Sequence, residues 1–370
     1  MQVTKEQLHW YGRYLDHKDI RYFDYSASGF EFCFTGKKAQ ATFITDTEAW
    51  DNEHKAVLGI FVKKLSGKSE YKPSYWNNLS LNESDVAEPV RVFLTEAENK
   101  ITLFESSDSD KEETVVVKVI KISEAAFGYA GFKSLEIDGS LVSGKEEASN
   151  LKIEFIGDSI TCGYGIDGIF EKDSFTTKQE RADKAYAFLT SKNLNADFNL
   201  VSWSGIGLIS NYVDPSVELP LTSWLMPALW PYTDKFLSKR LGLEPEFWDI
   251  NRFKADIIVI NLGTNDASYV RDKEERRLLY VSTYRTFLET IHRANPSAKI
   301  CCCLGVMGQL LCDSVEEAVS LFKGDFPYVK TAVVKFPHQD EKDGIGADWH
   351  PSAITQKKVA DQLTKALKEL

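Results

Sequence analysis

An excess of positive charge is absent from this chain. Its 44 lysines and arginines are outnumbered by 55 aspartates and glutamates, a net charge of −11. Nucleic acid and anionic membranes both need a basic footprint, so neither is expected as a partner. No apolar run approaches the roughly 18 residues of a membrane span, and the start, "MQVTKEQLHWYGRYL", lacks the basic-then-apolar order of a secretory leader. Cysteine is scarce, six in 370 residues, and three of the six are consecutive: Cys301, Cys302 and Cys303. Neighbouring strand residues point to opposite faces, so this run makes a poor disulfide framework or metal cage. Reduced core cysteines and a cytoplasmic location are the expectation. No His/Cys/acidic cluster has metal-ligand spacing, and no GxGxxG follows the strand at Leu151, so neither a metal nor a dinucleotide cofactor is expected.

What is present suffices for well-filled cores: 43% of all residues are hydrophobic and 12% of all residues are aromatic. The length favours two domains. Up to about residue 145 the chain reads as β. "GFEFCFTGKKAQATFITD" has the look of a hairpin turning at Gly36-Lys37-Lys38, and "AVLGIFVKKL", "EPVRVFLTEAENKITLFESS", "ETVVVKVIKI" and "GFKSLEIDG" follow as short strands. Strands at this spacing predict an all-β sandwich or jelly roll over 1–145. "GSLVSGKEEASN" reads as a linker.

From 151 to 370 the pattern changes. "LKIEFIG", "DFNLVSWSG", "ADIIVINLG", "AKICCCLGV" and "VKTAVVKF" read as strands. Helical stretches alternate with them, the last being "HPSAITQKKVADQLTKALKEL", where Val359, Leu363, Ala366 and Leu370 recur at helical spacing. Alternation of this kind predicts a parallel, doubly wound sheet between two helical layers. Right-handed crossovers bring the carboxyl ends of its strands to one rim. The tryptophan- and proline-rich segment Asn211–Phe253 interrupts the alternation and is expected to wall that rim.

Chemistry-bearing residues gather on the strand-end loops: "GDSIT" with Ser159, "WSGIG" with Gly205, "GTND" with Asn265, and "DWHPS" with Asp348, Trp349 and His350. A serine nucleophile needs a base within reach and donors for a developing oxyanion. Ser159 and His350 supply the first pair. The backbone N–H groups of Ser159 and Gly205 and the Asn265 amide supply the donors. Asp158 and Asp266 read as loop braces, Cys162 as a packing residue, and His338 as the only rival base.

These four blocks resemble the SGNH (GDSL-type) hydrolases, over residues 151–370. With "YGR", "FGYAGFKSLEIDG", "LMP" and "DWHPS", the chain resembles the carbohydrate esterase family 2 acetylxylan esterases. The resemblance implies a jelly-roll domain followed by a flavodoxin-like SGNH domain, a serine esterase acting on acetylated xylo-oligosaccharides or related plant glycans, and no cofactor. It puts the nucleophile on Ser159, the base on His350 and the oxyanion donors on Ser159, Gly205 and Asn265. The wider SGNH pattern has an aspartate three residues before the histidine, where this chain has Ala347. Asp348 is therefore a candidate third member, with a backbone carbonyl as the alternative. Trp230 and Trp349 are the candidates for sugar contact. Other readings stay open: a thioesterase, lipase or acyltransferase on the same constellation, or a carbohydrate-binding protein with an inactive site. So do the role of the β domain in glycan binding or assembly, and homo-oligomerisation.

Overall fold

The computed structural model describes residues 1–47, 51, 53–65, 71–72, 88–108, 111–144 and 151–370. Part of the stretch expected as a linker, 145–150, lies outside the described residues, and its start belongs to a strand.

The N-terminal part is antiparallel β. Strands β1 (Gln2–Val3), β2 (His9–Tyr11), β3 (Tyr14–His17) and β4 (Ile20–Phe23) precede the 16-residue β5 (Gly29–Ile44). Then come β6 (Val57–Lys64), β7 (Val90–Phe93), β8 (Glu98–Glu105), β9 (Glu113–Lys121) and β10 (Ala130–Leu141). The order across the sheet is β3-β4-β10-β5-β9-β6-β7, with β1 on β10 and both β2 and β8 on β5. The expected hairpin at Gly36-Lys37-Lys38 is not formed. Residues 29–44 are one strand that bends there, its first half paired with β9 and its second with β8. Phe30, Phe32 and Phe34 face the core before the bend, and Ala39, Ala41 and Phe43 after it. That odd step is the mark of a bulge, which flips the buried parity without reversing the chain. A Cβ on Gly36 would lie 1.8 Å from the Asp138 carbonyl oxygen on β10, so the crossing requires glycine. Each phenylalanine buried here contributes about 1.5–3 kcal/mol.

The C-terminal part is a five-stranded sheet of β11 (Lys152–Gly157), β12 (Asp197–Ser202), β13 (Ile257–Asn261), β14 (Lys299–Leu304) and β15 (Thr331–Lys335). All neighbours are parallel, in the order β12-β11-β13-β14-β15. β13 and β14, covered on both faces, read as nearly unbroken apolar runs, which is why they stand out in the sequence. Ile156, Ile258, Ile260 and Cys302 face the layer of helices Glu274–Ala294 and Cys312–Asp325. Ile153, Phe155, Val259, Cys301 and Cys303 face helices Tyr186–Asn193 and Ala353–Glu369. The three consecutive cysteines thus split between the two faces, and all six cysteines are free and buried.

The two parts share a core. Val116 and Ile120 of β9, with Tyr11, Cys33 and Val57, pack in the same cluster as Ile153, Phe155 and Phe198. The other face of β9, Val115, Val117 and Val119, fills the interior of the β part. Lys118, on the shared side, is buried with its ammonium 4.0 Å from the Tyr11 ring centroid. Removal from water pushes its pKa down to about 8.

Candidate active site

The strand order reverses between β11 and β13, and the crevice beyond the carboxyl ends of such a pair is where open α/β sheets place ligands. β11 stops at Gly157. Asp158 then caps a one-turn helix, Ser159–Cys162, its Oδ1 accepting the Ile160 N–H at 3.0 Å. Burial pushes the Asp158 carboxyl up to about 7. Gln356, fully buried on the last helix, donates to the Ile160 carbonyl (3.0 Å) and accepts the Tyr186 N–H (2.9 Å). The turn carrying Ser159 is thereby fixed from below.

His350 Nε2 lies 2.8 Å from Ser159 Oγ. Its Nδ1 lies 3.2 Å from the Ala347 carbonyl oxygen and 3.1 Å from that of Asp348. A carbonyl can only accept, so the ring proton sits on Nδ1 and the Nε2 lone pair faces the serine hydroxyl. The Asp348 carboxylate is not on the histidine. It accepts the Tyr164 hydroxyl at 2.9 Å. The role expected of Asp348 is filled by backbone: its residue contributes a carbonyl, and the left-handed backbone at Asp348 (φ 50°) and Trp349 (φ 65°) turns that carbonyl inward. The loop is held by Gly346 N–H to the His350 carbonyl (2.8 Å), Ala347 N–H to Gly165 (3.0 Å) and Gln339 Nε2 to the Trp349 carbonyl (2.6 Å). Tyr164 lies between Phe175, stacked at 3.6 Å between centroids, and the His350 ring at 4.3 Å. Burial lowers the His350 pKa to about 4, against the opposing pull of the two carbonyls and the Asp348 charge. The imidazole is neutral at pH 7 and able to accept a proton.

The loop after β12 carries Gly205. Asn265, at the start of helix Thr264–Val270, donates one Nδ2 hydrogen to the Ile206 carbonyl at 2.9 Å, leaving the other. Among the described residues, no protein group accepts the N–H of Ser159 or of Gly205. Gly205 has φ +77°, and the space where its Cβ would project is open, so the loop presents bare backbone to the crevice. The buried Asp266 carboxylate accepts the N–H groups of Leu208 (2.9 Å), Ile209 (2.8 Å) and Ser210 (3.2 Å), which locks the loop. Tyr212 N–H donates to the Gly205 carbonyl (2.8 Å) and Met226 N–H to that of Gly207 (3.0 Å). Tyr212 and Met226, in the first part of the segment Asn211–Phe253, therefore brace the loop that carries Gly205.

Trp230 is elsewhere. It is 3% exposed in the core, with its Nε1 donating to Glu154 at 2.6 Å. Its place is a buried network joining the two parts, in which Arg13 donates to the Trp230 and Tyr232 carbonyls and to Glu154. The substrate contact expected of Trp230 is corrected to this structural one: the indole N–H needed a buried acceptor and β11 supplies it. Trp349 is half-buried, edge-on to Phe170 at 4.9 Å, beside the base. It is His350 and not His338 that contacts Ser159 Oγ; His338 Nδ1 contacts the Gln339 carbonyl. Tyr164, between Gly163 and Gly165 just after "GDSIT", is a neighbour of the base that the sequence pattern does not single out. Among the described residues one group could hold a metal ion by position: Glu124, Cys162 and Glu180, whose donor atoms lie within 4.8 Å of one another. Cys162 is fully buried, with Sγ 3.3 Å from Ser202 Oγ.

Comparison with known proteins agrees with this geometry. Residues 155–357 match the model of the GDSL-like lipase/acylhydrolase family. The chain is 37% identical over 256 residues to the cellulase/esterase CelE of Acetivibrio thermocellus; the match covers 67% of this chain and 29% of that longer protein. It is 27% identical to an acetylxylan esterase/glucomannan deacetylase of Cellvibrio japonicus, over 76% of this chain and 74% of the relative. A family two carbohydrate esterase from Clostridium thermocellum, solved with cellohexaose, superposes with a TM-score of 0.78 at 28% identity, over 98% of both chains. That matched region takes in more than half of the chain, Ser159, Gly205, Asn265 and His350 among it, and the chain belongs to the GDSL-like lipase/acylhydrolase family.

Proposed function

We propose that this protein is a serine esterase that removes acetyl groups from acetylated xylo-oligosaccharides or related plant-derived glycans. The observation that carries the reading is the 2.8 Å approach of His350 Nε2 to Ser159 Oγ beside two unclaimed backbone N–H donors. Ser159 Oγ attacks the acetyl carbonyl while His350 Nε2 takes its proton. The Ser159 and Gly205 N–H groups and Asn265 Nδ2 receive the oxyanion. The imidazolium, its Nδ1–H on the Ala347 and Asp348 carbonyls, returns the proton to the departing sugar hydroxyl. Water, deprotonated by His350, then releases acetate from the acyl-serine. The names of the relatives, an esterase and an acetylxylan esterase/glucomannan deacetylase, support acetylated glycan as the substrate class.

The test is acetate release from acetylated xylo-oligosaccharides by wild type and Ser159→Ala, with 4-nitrophenyl acetate and a long-chain ester alongside. Fast, serine-dependent release from the sugar with little turnover of the long ester is expected. Turnover of the simple ester alone would move the substrate class elsewhere, and retained activity in Ser159→Ala would end the mechanism.

A further inference from the structure

The oxyanion loop is held on one side by a residue that belongs to the β part. Glu124 follows β9, and its Oε2 accepts the N–H of Ser204, the residue before Gly205, at 2.7 Å. The same oxygen lies 3.7 Å from Cys162 Sγ on the turn that carries Ser159. One carboxylate therefore touches both backbone segments that supply oxyanion donors. It is itself fixed. The Glu124 N–H donates to Glu180 Oε2 at 2.9 Å, and Lys121 Nζ donates to the carbonyls of Ser123 and Glu124. Glu124 and Glu180 are both fully buried. Nothing in the stability of either part alone requires an acid here: a serine or an amide could take one N–H at lower desolvation cost.

We propose that Glu124 is a positioning residue for the oxyanion hole, through which the β part sets where the Gly205 N–H points relative to Ser159. The proposal rests on the esterase reading above. Its physical content is reach. The Ser204 N–H needs an acceptor at that distance, and a loop released from it loses the alignment of the next N–H along the chain. Misplacing a transition-state donor by about 1 Å can cost on the order of a hundredfold in rate. Charge matters less. Burial raises the pKa of both Glu124 and Glu180 above the usual carboxylate range, and the Glu124 carboxyl adds to the rise at Glu180, so the site does not depend on two ionised groups. An amide oxygen in the same place can accept the same hydrogen.

Two conservative variants separate reach from charge. Glu124→Gln keeps the length and loses the charge. Glu124→Asp keeps the charge and withdraws the acceptor by about 1.5 Å, one C–C bond. On 4-nitrophenyl acetate, Glu124→Asp is expected to lower kcat ten- to a hundredfold with KM within about twofold, since the donor acts in the transition state. Glu124→Gln is expected to retain kcat to within about threefold. Loss of kcat in Glu124→Asp should also be less than additive with Asn265→Ala, because both act on one oxyanion. Full kcat in Glu124→Asp, equal damage in both variants, or strict additivity with Asn265→Ala would overturn the proposal. So would a fall in kcat of the wild type after dialysis against a chelator, which would assign Glu124, Cys162 and Glu180 to a metal instead. Ser159→Ala in the same series keeps the two readings apart: turnover that survives it sinks the esterase assignment, whereas an inactive Ser159→Ala with a fully active Glu124→Asp sinks only the positioning role.

Discussion

The Asp348 carboxylate accepts the Tyr164 hydroxyl at 2.9 Å, while the carbonyl of the same Asp348 faces His350 Nδ1 at 3.1 Å. The side chain and the backbone of one residue thus serve different partners. The carboxylate tethers the ring that covers the base, and the carbonyl fixes its tautomer. Where a carboxylate itself holds the histidine, amidation costs about ten-thousandfold in kcat. Here Asp348→Asn should leave kcat within about fivefold of wild type, because the amide still accepts from Tyr164 and the backbone is unchanged. Steady-state kinetics on 4-nitrophenyl acetate decide it. A loss of a thousandfold or more would mean that the carboxylate turns onto Nδ1 during the reaction.

The base is half-buried, and its loss of solvent sets the sign of its pH dependence. Burial lowers the His350 pKa from its ordinary 6.5 to about 4. The neutral, proton-accepting form therefore persists as pH falls through 6.5 and is lost only on approach to about 4. The acid limb of kcat/KM for the free enzyme should lie well below 6.5. Tyr164→Ala removes a ring 4.3 Å from the imidazole and lets water in, so the limb should move up toward the ordinary histidine value. A wild-type limb at 6.5 or above, or one unmoved in Tyr164→Ala, would show that desolvation does not govern this group.

The parts of this molecule that could be read from the sequence are those governed by local pattern. β11 and β13 are short, mostly apolar strands covered on both faces, and each is followed by a loop that carries a site residue, so Ser159, Asn265 and the switch point came together. The bend in β5 was also written in the sequence, as the odd step from Phe34 to Ala39, but Gly36-Lys37-Lys38 has turn composition and local chemistry suggested a reversal. Trp230 and Trp349 could not be told apart locally. Both are tryptophans near functional blocks, and only the chain's return past Glu154 makes one of them core. Glu124 and Tyr164 act through partners 80 and 184 positions away, and no periodicity records such a pairing.

The joint between the two parts rests on a buried ion pair whose energetics can be tested separately from catalysis. Arg13 Nη2 lies 3.2 Å from Glu154 Oε2, with the arginine side chain 0% and the glutamate side chain 3% exposed. The guanidinium also donates at 2.6 Å to each of the Trp230 and Tyr232 carbonyls and lies 4.9 Å from the Trp248 ring centroid. Removing one member of such a pair strands the other in low dielectric and costs about 3–5 kcal/mol. Arg13→Met should therefore lower the urea midpoint sharply, because among the described residues Glu154 keeps only the Trp230 N–H as a side-chain partner, and two carbonyls lose the Arg13 donor. Adding Glu154→Leu removes the stranded charge, so the double variant should be more stable than Arg13→Met alone, although the Trp230 indole then lacks its acceptor. Equilibrium unfolding of the three proteins, with the denaturant slope checked for two-state behaviour, measures the coupling. A double variant no more stable than the single one would place the stabilisation in the carbonyl bonds and the stacking of Arg13, and not in its charge pairing with Glu154.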